Sequence, residues 1–203
     1  MNHVKMVFSS YGFRISVVRE KIAQVIPQDN DLRGKSCLVL PFAGFNVEKT
    51  FEVERSGLAE FGFDFERVFN VDALVSDAAI VPDCIYVPGG DPFKLLTEIR
   101  KRNLISRIRK WVLDCKSTYI GVSAGAYISA QNIEYVKQLE DNNVIESDYG
   151  ALGLVSNAVV CHADHYSYLQ IKACKTVSDT PVVTLRDDQV VFLKDGEWKY
   201  VNE

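Results

Sequence analysis

Several protein classes are excluded by what the 203-residue sequence lacks. No apolar run approaches the roughly 18 residues that carry a helix across a bilayer, so no membrane span is expected. The start, MNHVKMVFSSYGF, has too short an apolar run for a signal peptide and reads as a first strand, Val4–Ser9. There is no basic excess: 23 Lys and Arg stand against 27 Asp and Glu, a net charge of −4. That balance favours neither nucleic acid nor an anionic membrane surface as a partner. Five cysteines, Cys37, Cys84, Cys115, Cys161 and Cys174, make an odd number with no CxxC pair. This argues against a disulfide framework and a cysteine zinc site, and for a reducing compartment, the cytoplasm by default. Neither G-x-G-x-x-G nor the P-loop pattern occurs, which leaves the glycine clusters without a phosphate-binding signature. Repeats, low-complexity tracts and Pro/Gly/Ser linkers are missing too, so residues 1–203 are expected to form one domain.

The composition that remains, 47% hydrophobic and 25% charged, is that of an ordinary globular chain. Short apolar runs alternate with longer amphipathic ones. SCLVLPFA (36–43), CIYVPGG (84–90), STYIGV (117–122) and NAVVCHA (157–163) read as strands, and DFERVFNV (64–71) as another. Helical spacing is seen over Ser16–Ile26, with Val17, Val18, Ile22, Val25 and Ile26 on one side. It recurs over Val47–Phe61 with Gly62 as a stop, and over Pro92–Arg102, Ile105–Cys115 and Tyr166–Lys175; Ala124–Gln138 is expected to contain a further helix. The tail, from Pro181, reads as two or three strands with turns at Arg186–Asp188 and Asp195–Gly196. Strands apolar throughout and alternating with helices predict an α/β fold, a mostly parallel sheet covered on both faces, with the terminal hairpin antiparallel at an edge. In such sheets sites form beyond the carboxyl ends of the strands. Gly89–Asp91, Gly121–Gly125 and His162–His165 stand there.

GVSAG (121–125) matches G-x-S-x-G in its proper context of strand, turn and helix. A tight turn at Ser123 projects its hydroxyl from the sheet and brings flanking backbone together, which small residues at these offsets permit. A serine hydroxyl needs a base. The chain has three histidines: His3 precedes the first strand, whereas His162 and His165 follow an apolar strand, so either of the latter could serve. Two adjacent glycines, Gly89 and Gly90, end another strand; their N–H groups, with that of Ala124, could face a carbonyl oxygen as an oxyanion hole. Asp91 and Pro92 have the simpler reading of a helix N-cap and first helical residue.

YVPGGDPFKLL, then GVSAGAYI, then a histidine after a later strand, together resemble peptidase family S51, the dipeptidase E-like serine peptidases that include aspartyl dipeptidases and cyanophycinases. The resemblance spans roughly residues 36–175. It implies a three-layer α/β/α sandwich of the class I glutamine amidotransferase-like type and cleavage of short peptides. It also implies a nucleophile at Ser123, His162 as base, and oxyanion donors at Gly90 and Ala124. The family places an acid between the nucleophile helix and the histidine. That segment offers Glu134, Glu140, Asp141, Glu146 and Asp148, and spacing points to Glu140 or Asp141. Lys172 and Lys175 follow His162, but no arginine there matches the family's carboxylate-binding pattern. The partner implied is a small peptide; no metal or organic cofactor is, and a homodimer is compatible with the architecture. The alternative is a non-catalytic member that binds a small ligand or partner at the same cleft, motivated by the lack of an obvious acid.

Overall fold

The computed structural model describes residues 6–26, 34–72, 80–115, 117–141 and 148–201. The apolar runs become strands β1 (Met6–Ser9), β2 (Cys37–Val39), β3 (Val68–Phe69), β4 (Cys84–Val87), β5 (Thr118–Val122), β6 (Ala158–Val160), β7 (Val182–Thr184), β8 (Val190–Lys194) and β9 (Glu197–Tyr200). Seven of them form one sheet in the order β3-β2-β4-β5-β1-β8-β9; β6 and β7 pair separately. The first five in that order run parallel, and β8 and β9 are antiparallel at the edge, as the pattern predicts. Their turn carries Asp195 at φ 54° and Gly196 at φ 82°, the two left-handed residues that match a hairpin to strand twist.

Burial on both faces explains why the central strands carry no polar alternation. Alternate residues feed two cores. Val7, Val39, Tyr86 and Ile120 meet Val18 and Ile22 of helix α1 (Ser16–Val25) and Leu58 of α2 (Val47–Phe61). Phe8, Leu38, Ile85 and Tyr119 face the other way, onto Phe93, Leu96 and Ile99 of α3 (Pro92–Lys101) and Ile108 of α4 (Ile105–Arg109). Each such fully buried side chain contributes about 1.5–3 kcal/mol. This is the expected three-layer sandwich. Helix α2 is capped by Asn46, which accepts from the Lys49 N–H at 2.8 Å, and stops at Gly62, whose φ of 127° a side chain would strain.

Three expectations change in detail. Val17 is not on the buried side of α1 but 40% exposed. The strand expected over 64–71 is reduced to β3, behind a 3-10 turn at Phe65–Arg67. The helix expected within Ala124–Gln138 ends after one turn, as α5 (Ala124–Tyr127), and resumes only as a 3-10 turn at Glu134–Gln138. The reason is local: the Ser129 hydroxyl donates back to the Ala126 carbonyl at 2.6 Å, and the Asn132 side chain accepts from the Glu134 N–H at 2.7 Å, both in competition with helix bonds. The last helix, α6 (Tyr168–Ser178), begins in a reciprocal capping box between Ser167 and Gln170.

Candidate active site

Ser123 sits where β5 turns into α5, with φ 47° and ψ −108°, a conformation L-residues rarely adopt. The turn is over-determined by its surroundings. The Ser123 N–H donates to the Ser9 carbonyl at 3.0 Å, and the Ser123 carbonyl accepts from Ala126 and Tyr127. The small neighbours are there for space. A Cβ on Gly125 would collide with the Val87 carbonyl, and one on Gly121 would lie 2.8 Å from the Gly125 carbonyl oxygen. The Tyr119 hydroxyl, 2.6 Å from that same oxygen, ties the turn to the strand below.

His162 reaches Ser123 from the second sheet. Strands β6 and β7 run parallel with Val160 opposite Thr184, so their carboxyl ends emerge side by side. His162 lies just past one and Asp187 just past the other. His162 is itself left-handed, at φ 54°, and Ser10 holds it: the Ser10 hydroxyl accepts from the His162 N–H at 2.9 Å and donates to the Leu185 carbonyl at 3.2 Å. The ring then lies with Nε2 3.2 Å from Ser123 Oγ and Nδ1 2.6 Å from Asp187 Oδ1. With Nδ1 protonated and donating to Asp187, Nε2 is left free to accept from the serine. His165, one turn on, points its Nε2 at the other Asp187 oxygen, 2.9 Å away, while the Ser123 hydroxyl faces His162. Of the two histidines left open by chain position, His162 is therefore the one at the hydroxyl; His3 lies outside the described residues.

The acid differs from the sequence expectation. Neither Glu140 nor Asp141 is the carboxylate on His162; Asp187 is, and it follows the histidine in the chain rather than preceding it. Asp141 is exposed, and Glu140 lies at the end of the 134–138 turn, where burial and then the nearby Asp91 push its pKa up to about 7. Glu134 pairs with Lys137 and Asp148 with Arg100, while Glu146 lies outside the described residues. The turn at 186–188 was legible, but only the β6–β7 register shows that it faces a histidine. Two acids, Asp187 and Asp188, in a turn after a strand were the signal available.

The serine opens on a cleft of about 390 Å³, at the small end for a ligand site. Gly89, Gly90, Tyr11, Arg14, Tyr86 and His162 are among its walls. Gly90 has φ 136°, and a Cβ there would strike the Ala43 carbonyl; a Cβ on Gly89 would come within 3.1 Å of that of Ser123. Among the described residues, the backbone hydrogen bonds of loops and turns use neither the Gly90 nor the Ala124 N–H as donor. Helix α5 is only four residues long, so these N–H groups themselves, not a macrodipole, are what the turn offers an anion. Across the cleft, the 60% exposed Arg14 donates to Glu54 Oε1 at 2.7 Å, and the Tyr86 hydroxyl donates to Glu54 Oε2 at 2.9 Å. Burial, then the adjacent Glu54 charge, hold the Tyr86 pKa well above the ordinary value, so it stays a donor. Lys172 and Lys175 are exposed on α6 and are not among the residues lining the cleft. Cys161, beside the histidine, is fully buried, and that burial pushes its pKa up to about 12, which keeps it a thiol. Among the described residues, no helix is long and apolar enough to cross a membrane.

Comparison with known proteins shows the family and the fold. The model of peptidase family S51 matches residues 7–201. An uncharacterized peptidase of Pasteurella multocida is 31% identical over 84% of this chain and 86% of its own length. A peptidase E of Shewanella sp. is 26% identical over 86% of this chain and 78% of its own. A crystal structure of a candidate peptidase E protein from Listeria monocytogenes superposes with a TM-score of 0.75 at 22% identity, covering 97% of this chain and 98% of that one, and shows a shared fold.

Proposed function

Because this chain belongs to peptidase family S51 and is a serine-type peptidase, we propose that it hydrolyses short peptides, as a dipeptidase does, through Ser123, His162 and Asp187. The observation that carries this reading is the unbroken chain from Ser123 Oγ to His162 Nε2, and from His162 Nδ1 to Asp187. The Ser123 oxygen attacks the scissile carbonyl while its proton passes to His162 Nε2. Asp187 holds the tautomer and stabilises the imidazolium. The Gly90 and Ala124 N–H groups take the developing oxyanion, each worth about 2.7–4 kcal/mol in comparable sites. The proton then moves from Nε2 to the leaving amine, and a water molecule releases the acyl group by the reverse sequence.

The cleft volume suits a peptide of a few residues. Among the described residues lining it, Arg14 is the one guanidinium; it spends one nitrogen on Glu54, and its remaining donors, 60% exposed, rather than Lys172 or Lys175, are assigned to a substrate carboxylate. The non-catalytic alternative rests on the lack of an acid; Asp187, 2.6 Å from His162 Nδ1, weighs against it. The whole chain is read as one domain. A dipeptide library varied at both positions tests the activity, with a fluorophosphonate probe to report the nucleophile. Turnover lost in Ser123→Ala, together with labelling confined to Ser123, supports the reading. A folded protein that neither hydrolyses any peptide nor takes the probe overturns it.

A further inference from the structure

Asp187 is shared, and the sharing has its own chemistry. It accepts from His162 Nδ1 through one oxygen and meets His165 Nε2 through the other, at 2.6 and 2.9 Å. The two rings stack with centroids 5.7 Å apart and 27° between their planes. One ligand atom from each of His162, His165 and Asp187 can be chosen so that all lie within 4.8 Å of one another. The side chains are 17%, 55% and 27% exposed, so the cluster is open to solvent. A tetrahedral zinc ion with bonds of about 2.0–2.1 Å sets its ligand atoms roughly 3.3 Å apart. To reach that spacing the two histidine contacts to Asp187 part by about half an ångström, and a separation near the 4.8 Å bound closes by about 1.5 Å. Two imidazoles and one carboxylate are also a donor set that selects zinc over magnesium or calcium.

We propose that His162, His165 and Asp187 form a zinc-binding site that switches the hydrolase off, an inference that rests on the catalytic reading above. The inhibition follows from proton accounting on one ring. A neutral imidazole carries a single ring proton. When zinc takes the Nδ1 lone pair of His162, that proton is displaced from Nδ1 and the ring holds its proton on Nε2. The nitrogen 3.2 Å from Ser123 Oγ is then a donor with no lone pair for the serine proton. Asp187, bound to the metal, no longer stabilises an imidazolium. Zinc here is a removable inhibitor and not a resident cofactor, and His165 is what distinguishes this site from a bare serine–histidine–acid arrangement.

The test uses the full chain with Cys115→Ser, which removes the exposed thiol as a competing ligand. Zinc binding is measured by competition with a chromophoric chelator, magnesium serving as the control. Inhibition is read as the loss of fluorophosphonate labelling and of peptide turnover, each relative to the same variant's metal-free rate. One zinc per chain is expected, with labelling blocked by zinc and restored by EDTA. His165→Ala and His165→Phe are each expected to weaken both binding and inhibition by roughly tenfold or more. Ser123→Ala is expected to bind zinc as the parent does. No saturable zinc binding, binding unchanged by either His165 variant, or binding that leaves labelling intact overturns the proposal. Zinc binding that responds to His165 in a protein inert to probe and peptides under every condition overturns instead the catalytic reading.

Discussion

Two acid-bearing segments approach the carboxyl end of the fold, and they meet different fates. The 134–141 segment follows the serine turn directly and holds Glu134, Glu140 and Asp141; the turn 186–188 comes long after and holds Asp187 and Asp188. Chain order favours the first as partner to His162, and the structure places the second there. The difference lies in what each segment is tied to. The 134–138 turn packs against α6 and β6 through Tyr135, whose hydroxyl bridges the Val159 carbonyl and N–H, and this leaves Glu140 near Asp91. Asp187 emerges from a strand in parallel register with the one that carries the histidine. A carboxylate's function is set by the element that aims it, not by its distance along the chain.

That contrast can be broken at several points. The largest effect is expected at the group both segments would have to serve: Ser123→Ala should lower kcat by about 10⁴–10⁶-fold with folding intact, as measured by steady-state kinetics beside circular dichroism. Next, Asp187→Asn should lower kcat by on the order of 10²–10⁴-fold because the imidazole loses its tautomer control, whereas Glu140→Gln should change it less than about threefold. Equal losses in the two variants would erase the distinction drawn here. Arg14→Met should raise KM for peptides bearing a free carboxylate by roughly tenfold, with a smaller change in kcat, and should leave amidated analogues unaffected.

A smaller effect is expected behind the site. Ser10→Ala removes the acceptor on the left-handed His162 N–H and should cost about 1–3 kcal/mol of stability, read by chemical denaturation. The smallest concerns Glu140 itself. Its carboxyl is raised to about 7 in the folded protein, above its value in the unfolded chain, so the folded state binds the proton more tightly. Its contribution is therefore fully present in acid and lost as pH rises through about 7. Glu140→Gln should leave the melting temperature near pH 4 almost unchanged and raise it relative to the parent at pH 8.

Much of the site was legible in order along the chain. GVSAG between a strand and a helix start, the Gly89–Gly90 pair, and a histidine just past an apolar strand all lie where the pattern put them, and the family resemblance drawn from those residues agrees with the match over residues 7–201. What was not legible was everything that depends on which strand lies beside which. β7 leaves the main sheet to pair with β6, and no periodicity in VVT distinguishes that from joining the hairpin. The cation in the cleft, Arg14, comes from the loop before α1 and is anchored there by Glu54 of α2, which the Tyr86 hydroxyl of β4 holds in turn.

The sequence by itself determined the local chemistry: a serine turn built from residues too small to clash, strands apolar enough to be buried on both faces, and a histidine leaving one of them. These are short-range consequences of Cβ sterics and hydrophobic patterning, written in consecutive residues. Only the tertiary structure decided the partners, Asp187 for His162, His165 for Asp187 and Glu54 for Arg14, separated by 25, 22 and 40 positions. A hydrogen bond is indifferent to sequence separation, and strand register and helix packing chose among many equivalent charges which ones meet.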